Sequence, residues 1–316
     1  MDADIQMMLE QRLGRLHARQ RLGIERELEG KVFGHGPKSF HFENFYSARA
    51  LIRFTLKASG LYARGRRNAA NVVLQRNEIG FADLPPAFDG FTILQLSDLH
   101  VEMCPEAIER AGALAASASY DIAVLTGDFR AATWGPYEPT LAALARLRPH
   151  LKAPTYGVLG NHDSIRMVPG MEAIGFRMLL NESETLRRGD QEIHLAGIDD
   201  ADFYGVDNIQ KAGEEIPHGG FTVLLSHTPE VYRQAAHAGF HLMLSGHTHG
   251  GQICLPGGMP IVLDARLPRR YGAGAWVHEG MAGYTSRGTG SSIVPARFNC
   301  PPEVTLHRLH RSPAAS

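Results

Sequence analysis

Short apolar segments of strand length recur along this chain, and each runs into side chains of types that bind metal ions. Five such segments are found, at residues 91–96, 122–126, 155–159, 221–225 and 241–245. Patterns with helical spacing separate several of them, at residues 105–119, 138–148 and 229–238. Strands that alternate with helices of this length favour an α/β architecture. In open α/β sheets the working site lies beyond the carboxyl ends of the strands, so the five strand ends are expected to meet there.

The residues that follow these segments form the candidate site: Asp98 and His100, Asp128, Asn161 and His162, His227, and His247 and His249. His247 and His249 are two residues apart, so on an extended chain their side chains can point to the same side. A lone pair of this kind is a weak signal, and the other four strand ends strengthen it. Imidazole, carboxylate and carbonyl ligands together suit Mn²⁺, Fe or Zn²⁺, and the set contains no thiolate that would require zinc.

The ordered series Asp98-x-His100, Gly127-Asp128, Gly160-Asn161-His162-Asp163, His227 and Gly246-His247-x-His249 resembles the calcineurin-like metallophosphoesterase superfamily. This resemblance covers residues 90–250 and implies a four-layer αββα sandwich. Later motifs resemble the bacterial phosphodiesterases related to membrane-associated UDP-2,3-diacylglucosamine pyrophosphatases: Gly250-Gly251-Gln252, Tyr271-Gly272, Arg287-Gly288 and Arg297-Phe298. Members of that branch usually begin with a membrane span or an export signal, whereas this chain has a basic amphipathic segment.

The resemblance implies two divalent metal ions. One would be held by Asp98, His100, Asp128 and His249, and the other by Asp128, Asn161, His227 and His247, with Asp128 bridging them. Two ions about 3.5–4 Å apart can deprotonate a shared water near neutral pH and clamp the attacking and leaving oxygens. The expected reaction is therefore hydrolysis of a phosphodiester or pyrophosphate by a metal-bridging hydroxide. His162 would protonate the leaving oxygen or stabilise charge on the phosphoryl group, and Asp163 would orient His162.

The N-terminal region differs in charge from the rest of the chain. Residues 1–76 contain 14 Lys and Arg against 7 Asp and Glu, whereas the remainder contains 18 against 26. Residues 3–29 read as a polar helix, and residues 42–67 as an amphipathic helix with a stripe of Arg49, Arg53 and Lys57. A basic amphipathic helix of this kind fits an anionic membrane surface, and the alternative is a helix packed on the body with a solvated charged face. We predict an arm at residues 1–70 and a metallophosphoesterase domain at residues 71–316.

The overall composition limits which cellular locations and which kinds of partner are expected. A net charge of −1 and a pI of about 7.0 give no general reason to expect a nucleic-acid partner. The first residues lack the features of a signal peptide, no window has the roughly 18 apolar residues of a membrane span, and the three cysteines suggest no disulfide framework. These features predict a cytoplasmic protein that is a candidate for peripheral association with the inner membrane.

The sequence predicts the type of reaction more precisely than it predicts the substrate. UDP-2,3-diacylglucosamine or a related lipid-linked substrate fits both the resemblance and the basic arm. A soluble nucleotide phosphodiesterase is the main alternative. A non-catalytic binding module on the same fold is the third, although such a module usually lacks one of the ligands or the histidine at position 162.

Overall fold

A computed structural model describes residues 2–33 and 46–312 and contains two large mixed sheets. The strands of the first sheet lie in the order β1 (Val73–Phe81), β14 (Glu303–Arg311), β2 (Thr92–Leu96), β3 (Ile122–Thr126), β4 (Thr155–Val158) and β5 (Arg177–Met178). The strands β2 to β5 are parallel, and β14 runs antiparallel to β2. The carboxyl ends of β2, β3 and β4 therefore meet at one edge of this sheet.

The second sheet has the strand order β12 (Gly274–His278), β13 (Met281–Thr285), β9 (Leu242–Ser245), β8 (Thr222–Leu225), β7 (Gln191–Gly197) and β6 (Glu182–Arg188). Its four central strands are parallel and its two edge strands are antiparallel to their neighbours. A separate small hairpin consists of β10 (Cys254–Leu255) and β11 (Met259–Pro260). The carboxyl ends of β8 and β9 face the same region as those of the first sheet.

The helices of the described residues are α1 (Asp2–Leu13), α2 (Arg15–Phe33), α3 (Tyr46–Ala58), α4 (Tyr62–Ala70), α5 (Pro105–Ser117), α6 (Glu138–Leu147), α7 (Val168–Ile174), α8 (Ile209–Gly213) and α9 (Tyr232–His237). Short 3-10 turns lie at Pro86–Phe88, Arg148–His150, Ile165–Met167, Pro229–Val231, His249–Gly251 and Arg269–Tyr271.

Three apolar cores give the fold its four layers. The central core joins the two sheets through buried side chains such as Ile93, Val124 and Val223. Alternate residues of the same strands, including Leu94 and Leu125, face an outer core shared with helices α1, α2, α5, α6 and α7. A third core packs the second sheet against α8 and α9. The strands are buried on both faces, which is why they read as continuous apolar runs. The predicted α/β sandwich of four layers is confirmed.

Each of the two helices predicted in the N-terminal region is interrupted in the structure and forms two shorter helices. The predicted helix at residues 3–29 forms α1 and α2, which are joined at Gly14 with a φ of 87°. Gly60, with a φ of 72°, similarly separates α3 from α4 inside the predicted stretch at residues 42–67. Glycine adopts these left-handed angles without a steric penalty, so each helix ends there. Helix α2 continues to Phe33, past the predicted end at residue 29, and the predicted start at Phe42 lies outside the described residues.

Helix α3 packs one face on the body and exposes another. Leu56 is buried against Val294 and Ala296, whereas Leu51 and Phe54 are 65% and 68% exposed. Among the helices of the described residues, none combines the length and the apolar character that crossing a membrane requires.

Candidate metal centre

Two clusters of ligand-type side chains meet at the carboxyl ends of the strands. The first ligand cluster consists of Asp98, His100 and His249, whose ligand atoms all lie within 4.8 Å of one another. Nε2 of His100 and Nε2 of His249 are 3.1 Å apart, and Nε2 of His249 is 3.5 Å from Oδ1 of Asp98. Asp98 and His100 follow β2, and His249 follows β9, so the cluster joins the two sheets.

The second ligand cluster consists of Asp128, Asn161, His227 and His247. The ligand atoms of its carboxylate and two histidines also lie within 4.8 Å of one another. The Asn161 side-chain oxygen is 2.9 Å from Nε2 of His227 and 3.0 Å from Nδ1 of His247. These residues follow β3, β4, β8 and β9, so each comes from a different strand.

Asp128 lies between the two clusters. Its Oδ2 atom is 3.4 Å from Nε2 of His227 in the second cluster and 3.7 Å from Nε2 of His100 in the first. Nε2 of His162 is 4.0 Å from the same oxygen. A single carboxylate therefore reaches both clusters, and all seven predicted ligands are brought together.

Hydrogen bonds to the rear nitrogens orient the histidine rings. Nδ1 of His100 lies 2.8 Å from the Arg130 carbonyl oxygen, and Nδ1 of His227 lies 2.8 Å from that of Thr126. A carbonyl can only accept, so Nδ1 donates in both rings and Nε2 is the nitrogen turned toward the cluster. His247 is turned the other way: its Nδ1 faces the second cluster, and its Nε2 lies 3.9 Å from Asp202.

The backbone around the site is strained. Five candidate ligands have positive φ angles: Asp98 (51°), His100 (38°), Asp128 (56°), His247 (71°) and His249 (51°). Residues with side chains rarely adopt this region, and each instance costs about 1–3 kcal/mol unless the surroundings hold it. Such strain accumulates at functional sites because ligand geometry there outweighs local preference.

Two glycines allow the strand ends to approach each other. A Cβ atom on Gly160 would lie 2.6 Å from the Asp128 backbone nitrogen and would collide with the Asp128 carboxylate. A Cβ atom on Gly246 would collide with the side chains of Ser97 and Asp98. Both positions therefore require glycine, because any larger residue would overlap with a neighbouring ligand residue.

The predicted catalytic residues His162 and Asp163 both lie in the site. Nδ1 of His162 is 3.1 Å from the Thr133 hydroxyl oxygen. The Asp163 carboxylate instead accepts four backbone N–H bonds, from Asp128 (2.8 Å), Phe129 (2.9 Å), Arg130 (3.3 Å) and Gly160 (2.9 Å). These bonds connect the loop after β3 to the loop after β4. Asp163 thus holds two ligand loops together.

Burial and neighbouring charges set the protonation of the site. Burial lowers the pKa of His100 and places that of His249 well below its ordinary value, so both rings are uncharged. Burial opposes ionisation of Asp128, yet His227 and His162 hold its pKa well below the usual range. Asp128 in turn raises the pKa of His227, against the effect of burial. Burial, followed by the charge of Asp128, raises the pKa of Asp163 to about 7, while its N–H donors favour the carboxylate.

Several supporting groups are absent from the sequence prediction. The carbonyls of Thr126 and Arg130 carry no side-chain signal, because any residue type supplies a carbonyl. Asp202 lies beyond β7, a strand whose carboxyl end was not counted among the five. Arg297 is fully buried, and its Nη2 is 3.2 Å from Nδ1 of His249. Arg287 pairs with Glu303 at 2.8 Å.

The donor set fits divalent metal ions. Imidazole nitrogens, carboxylates and an amide oxygen converge in two groups, and the rear nitrogens of His100 and His227 are held by carbonyls. Buried lone pairs of this density repel one another unless a cation lies among them. Oxygen and imidazole ligands suit Mn²⁺, Fe and Zn²⁺.

Comparison with known proteins agrees with this geometry. The family model described as calcineurin-like phosphoesterase matches residues 91–251. The uncharacterized metallophosphoesterase YkoQ of Bacillus subtilis (strain 168) is 30% identical over 78% of this chain and 93% of its own length. YkuE from the same strain is 29% identical over 82% of this chain and 93% of its own. The phosphodiesterase YaeI of Escherichia coli (strain K12) is 30% identical over 69% of this chain and 82% of its own. The chain belongs to the calcineurin-like phosphoesterase family and is a metal-dependent phosphoester hydrolase.

Proposed function

We propose that this hydrolase uses two divalent metal ions to cleave a phosphodiester or pyrophosphate bond. The observation that carries the proposal is the pair of ligand clusters that share Asp128, whose Oδ2 atom is within 3.7 Å of a histidine in each. Asp98, His100 and His249 would hold one ion and Asn161, His227 and His247 the other, with Asp128 touching both.

Two bound ions supply a water of lowered pKa and positive charge against the phosphoryl oxygens. Two divalent ions against the two carboxylates, Asp98 and Asp128, leave a net positive site that attracts a phosphate group. The remaining chemistry belongs to side chains of the chain. His162 keeps Nε2 toward Asp128 while Nδ1 contacts Thr133, so a proton on Nε2 is directed at the site. We assign His162 the donation of that proton to the leaving oxygen.

We infer that the substrate is a lipid-linked pyrophosphate or diester such as UDP-2,3-diacylglucosamine, with a soluble nucleotide diester as the alternative. The support for a phosphodiester is the Escherichia coli relative that is named a phosphodiesterase. The support for a lipid is the exposed apolar and basic surface of the arm. A non-catalytic role is disfavoured because all seven ligand positions and His162 keep the residues that the chemistry needs.

The surface that would meet the membrane consists of α3 and the β10–β11 hairpin. Leu51 and Phe54 project from α3 beside the exposed Arg49 and Arg53. The hairpin exposes Leu255 and Met259, and it follows Ile253, which packs on the same small core as Leu56. Exposed apolar side chains with adjacent basic ones match an anionic lipid surface.

Vesicle sedimentation tests this membrane surface. The full chain is expected to sediment with vesicles of phosphatidylcholine and phosphatidylglycerol, and less with phosphatidylcholine alone. Burying a Leu or Phe contributes about 1.5–3 kcal/mol, so Leu51→Ser with Phe54→Ser should weaken binding at least about tenfold. The matched control is Leu16→Ser, which changes a leucine that is 80% exposed on α2. An equal loss of vesicle binding in the control and in the double variant would show that this surface does not bind the membrane.

The location at the inner membrane and the boundary of the arm at residue 70 stay predictions.

Turnover of chromogenic esters tests the reaction. With Mn²⁺, the chain should hydrolyse bis(p-nitrophenyl) phosphate, and a parallel screen of UDP-linked lipids and dinucleotides separates the two substrate classes. Full turnover by Asp128→Ala or His162→Ala would contradict the assigned site, and a dinucleotide preferred over every lipid would select the alternative.

A further inference from the structure

Helix α2 places two charged side chains inside the protein, next to the loop that carries Asn161 and His162. Arg21 is fully buried, and Glu25, one helical turn later, is 2% exposed. Nε of Arg21 and Oε1 of Glu25 form an ion pair at 3.1 Å. Arg and Glu are rarely buried to this extent unless they are paired, and removing their hydration costs free energy that one ion pair does not always recover. Their position therefore calls for an explanation beyond packing.

Both side chains bind the loop after β4. Nη2 of Arg21 donates to the Asp163 carbonyl oxygen at 2.8 Å. Glu25 accepts from the Ser164 hydroxyl at 2.7 Å and from the Ile165 backbone N–H at 2.8 Å. Three consecutive loop residues are thus held by one helix. The Asp163 carboxylate of the same loop holds the backbone of Asp128 and Gly160, so the bonds continue from α2 to the ligands.

Arg21 also contacts the loop after β7, in the other sheet. Its guanidinium carbon lies 3.3 Å from the centre of the Tyr204 ring, and its Nε is 4.0 Å from Oδ1 of Asp199. Nε2 of His17, one turn earlier on α2, is 2.8 Å from Oδ2 of Asp199. The same loop carries Asp202, which lies 3.9 Å from the rear nitrogen of His247. Arg21 therefore lies between two loops that flank the second ligand cluster from different sheets.

We propose that Arg21 and Glu25 are positioning residues that fix Asn161 and His162 relative to His247. In this role they set the affinity of the second ligand cluster for its metal ion and the alignment of His162, and they reach the first cluster only indirectly, through the backbone contacts of Asp163. The inference rests on the proposed two-ion function. Residues that orient metal ligands typically change metal affinity or activity by about 10- to 100-fold when they are altered.

The test is Mn²⁺ binding by the full-length chain, followed by electron paramagnetic resonance and calorimetry. Arg21→Lys keeps the buried charge beside Glu25 but loses the planar fork that reaches Asp163 and stacks on Tyr204. We expect the second Mn²⁺ to bind about 10- to 100-fold more weakly, with a clearly smaller change for the first Mn²⁺. With bis(p-nitrophenyl) phosphate at saturating Mn²⁺, kcat should fall while KM stays constant. The matched control is Arg26→Lys, which changes an exposed arginine of the same helix.

A second variant distinguishes the loss of a positioning role from a folding defect. Arg21→Met with Glu25→Met removes both charges together and leaves no unpaired charge from this pair, an exchange that stability often tolerates. It should show the same selective loss of the second Mn²⁺ with a cooperative thermal transition. Wild-type titration curves and kcat in both variants would overturn the positioning role, and so would unfolding of both. A wild-type chain that binds a single Mn²⁺ would instead refute the two-ion function on which the inference rests.

Discussion

Replacing Asp163 with Asn tests how the two ligand loops are held together. The Asp163 carboxylate accepts two backbone N–H groups on each oxygen: those of Asp128 and Gly160 on Oδ2, and those of Phe129 and Arg130 on Oδ1. The amide of Asn keeps one acceptor oxygen and turns an NH₂ group toward the other two donors. Well above the Asp163 pKa of about 7, where the carboxylate is ionised, two bonds to a charged acceptor are lost, at about 1.5–3 kcal/mol each. The expected loss of unfolding free energy is therefore about 3–6 kcal/mol.

This loss is large enough to measure by thermal melting. An unfolding entropy of about 2.1 cal/mol/K per residue over 316 residues gives roughly 0.7 kcal/mol/K. The melting temperature of metal-free Asp163→Asn should then fall by roughly 5–9 °C, and its Mn²⁺ affinity should fall as well. Asp190→Asn, at an exposed turn, is the matched control and should melt like the wild type. A metal-free Asp163→Asn protein that melts within about 1 °C of the wild type would refute this role.

Three further perturbations address the chemistry. His162→Gln should keep both metal ions but lower kcat about 10²- to 10⁴-fold through loss of the proton donor; unchanged kcat with full metal content would remove His162 from the mechanism. Gly160→Ala should destabilise the protein by about 1–3 kcal/mol and weaken Mn²⁺ binding, because the added methyl group would collide with Asp128. Calorimetry measures both effects. The control is Gly213→Ala, because a Cβ atom at that position meets nothing within 4 Å. Treatment with a chelator should abolish hydrolysis and lower the melting temperature, because the ions bind only the folded state, and added Mn²⁺ should restore both; activity that persists in verified metal-free protein would contradict metal dependence.

The sequence predicts the layers of the fold and the converging ligands because both leave periodic signals. Strands β2, β3 and β8 are buried on both faces, so their residues form mainly apolar runs that are easy to locate. The ligand follows two residues after the end of each run, and parallel pairing brings these ends together. At these positions the sequence pattern alone was sufficient to predict which side chains come together.

The supporting contacts could not be predicted because they depend on distances across the fold. Asp199 and Asp200 belong to no periodic pattern in the sequence, yet both are 1% exposed and Asp199 lies beside Arg21 and His17. Arg21 belongs to a helix whose polar composition suggests solvent on every side. Its burial follows from the packing of α2 on the loops of both sheets. The role of Asp163 as a backbone acceptor is equally invisible, because its partners are N–H groups that every loop residue carries.

The central claim is that His247 and His249, two residues apart, serve different metal ions while Asp128 serves both. Anomalous diffraction at the manganese edge, from crystals grown with Mn²⁺, tests it directly. The account predicts two manganese peaks, one beside Asp98, His100 and His249 and one beside Asn161, His227 and His247, with Asp128 in contact with both. A single peak, or two histidine ligands from this motif on one ion, would contradict it.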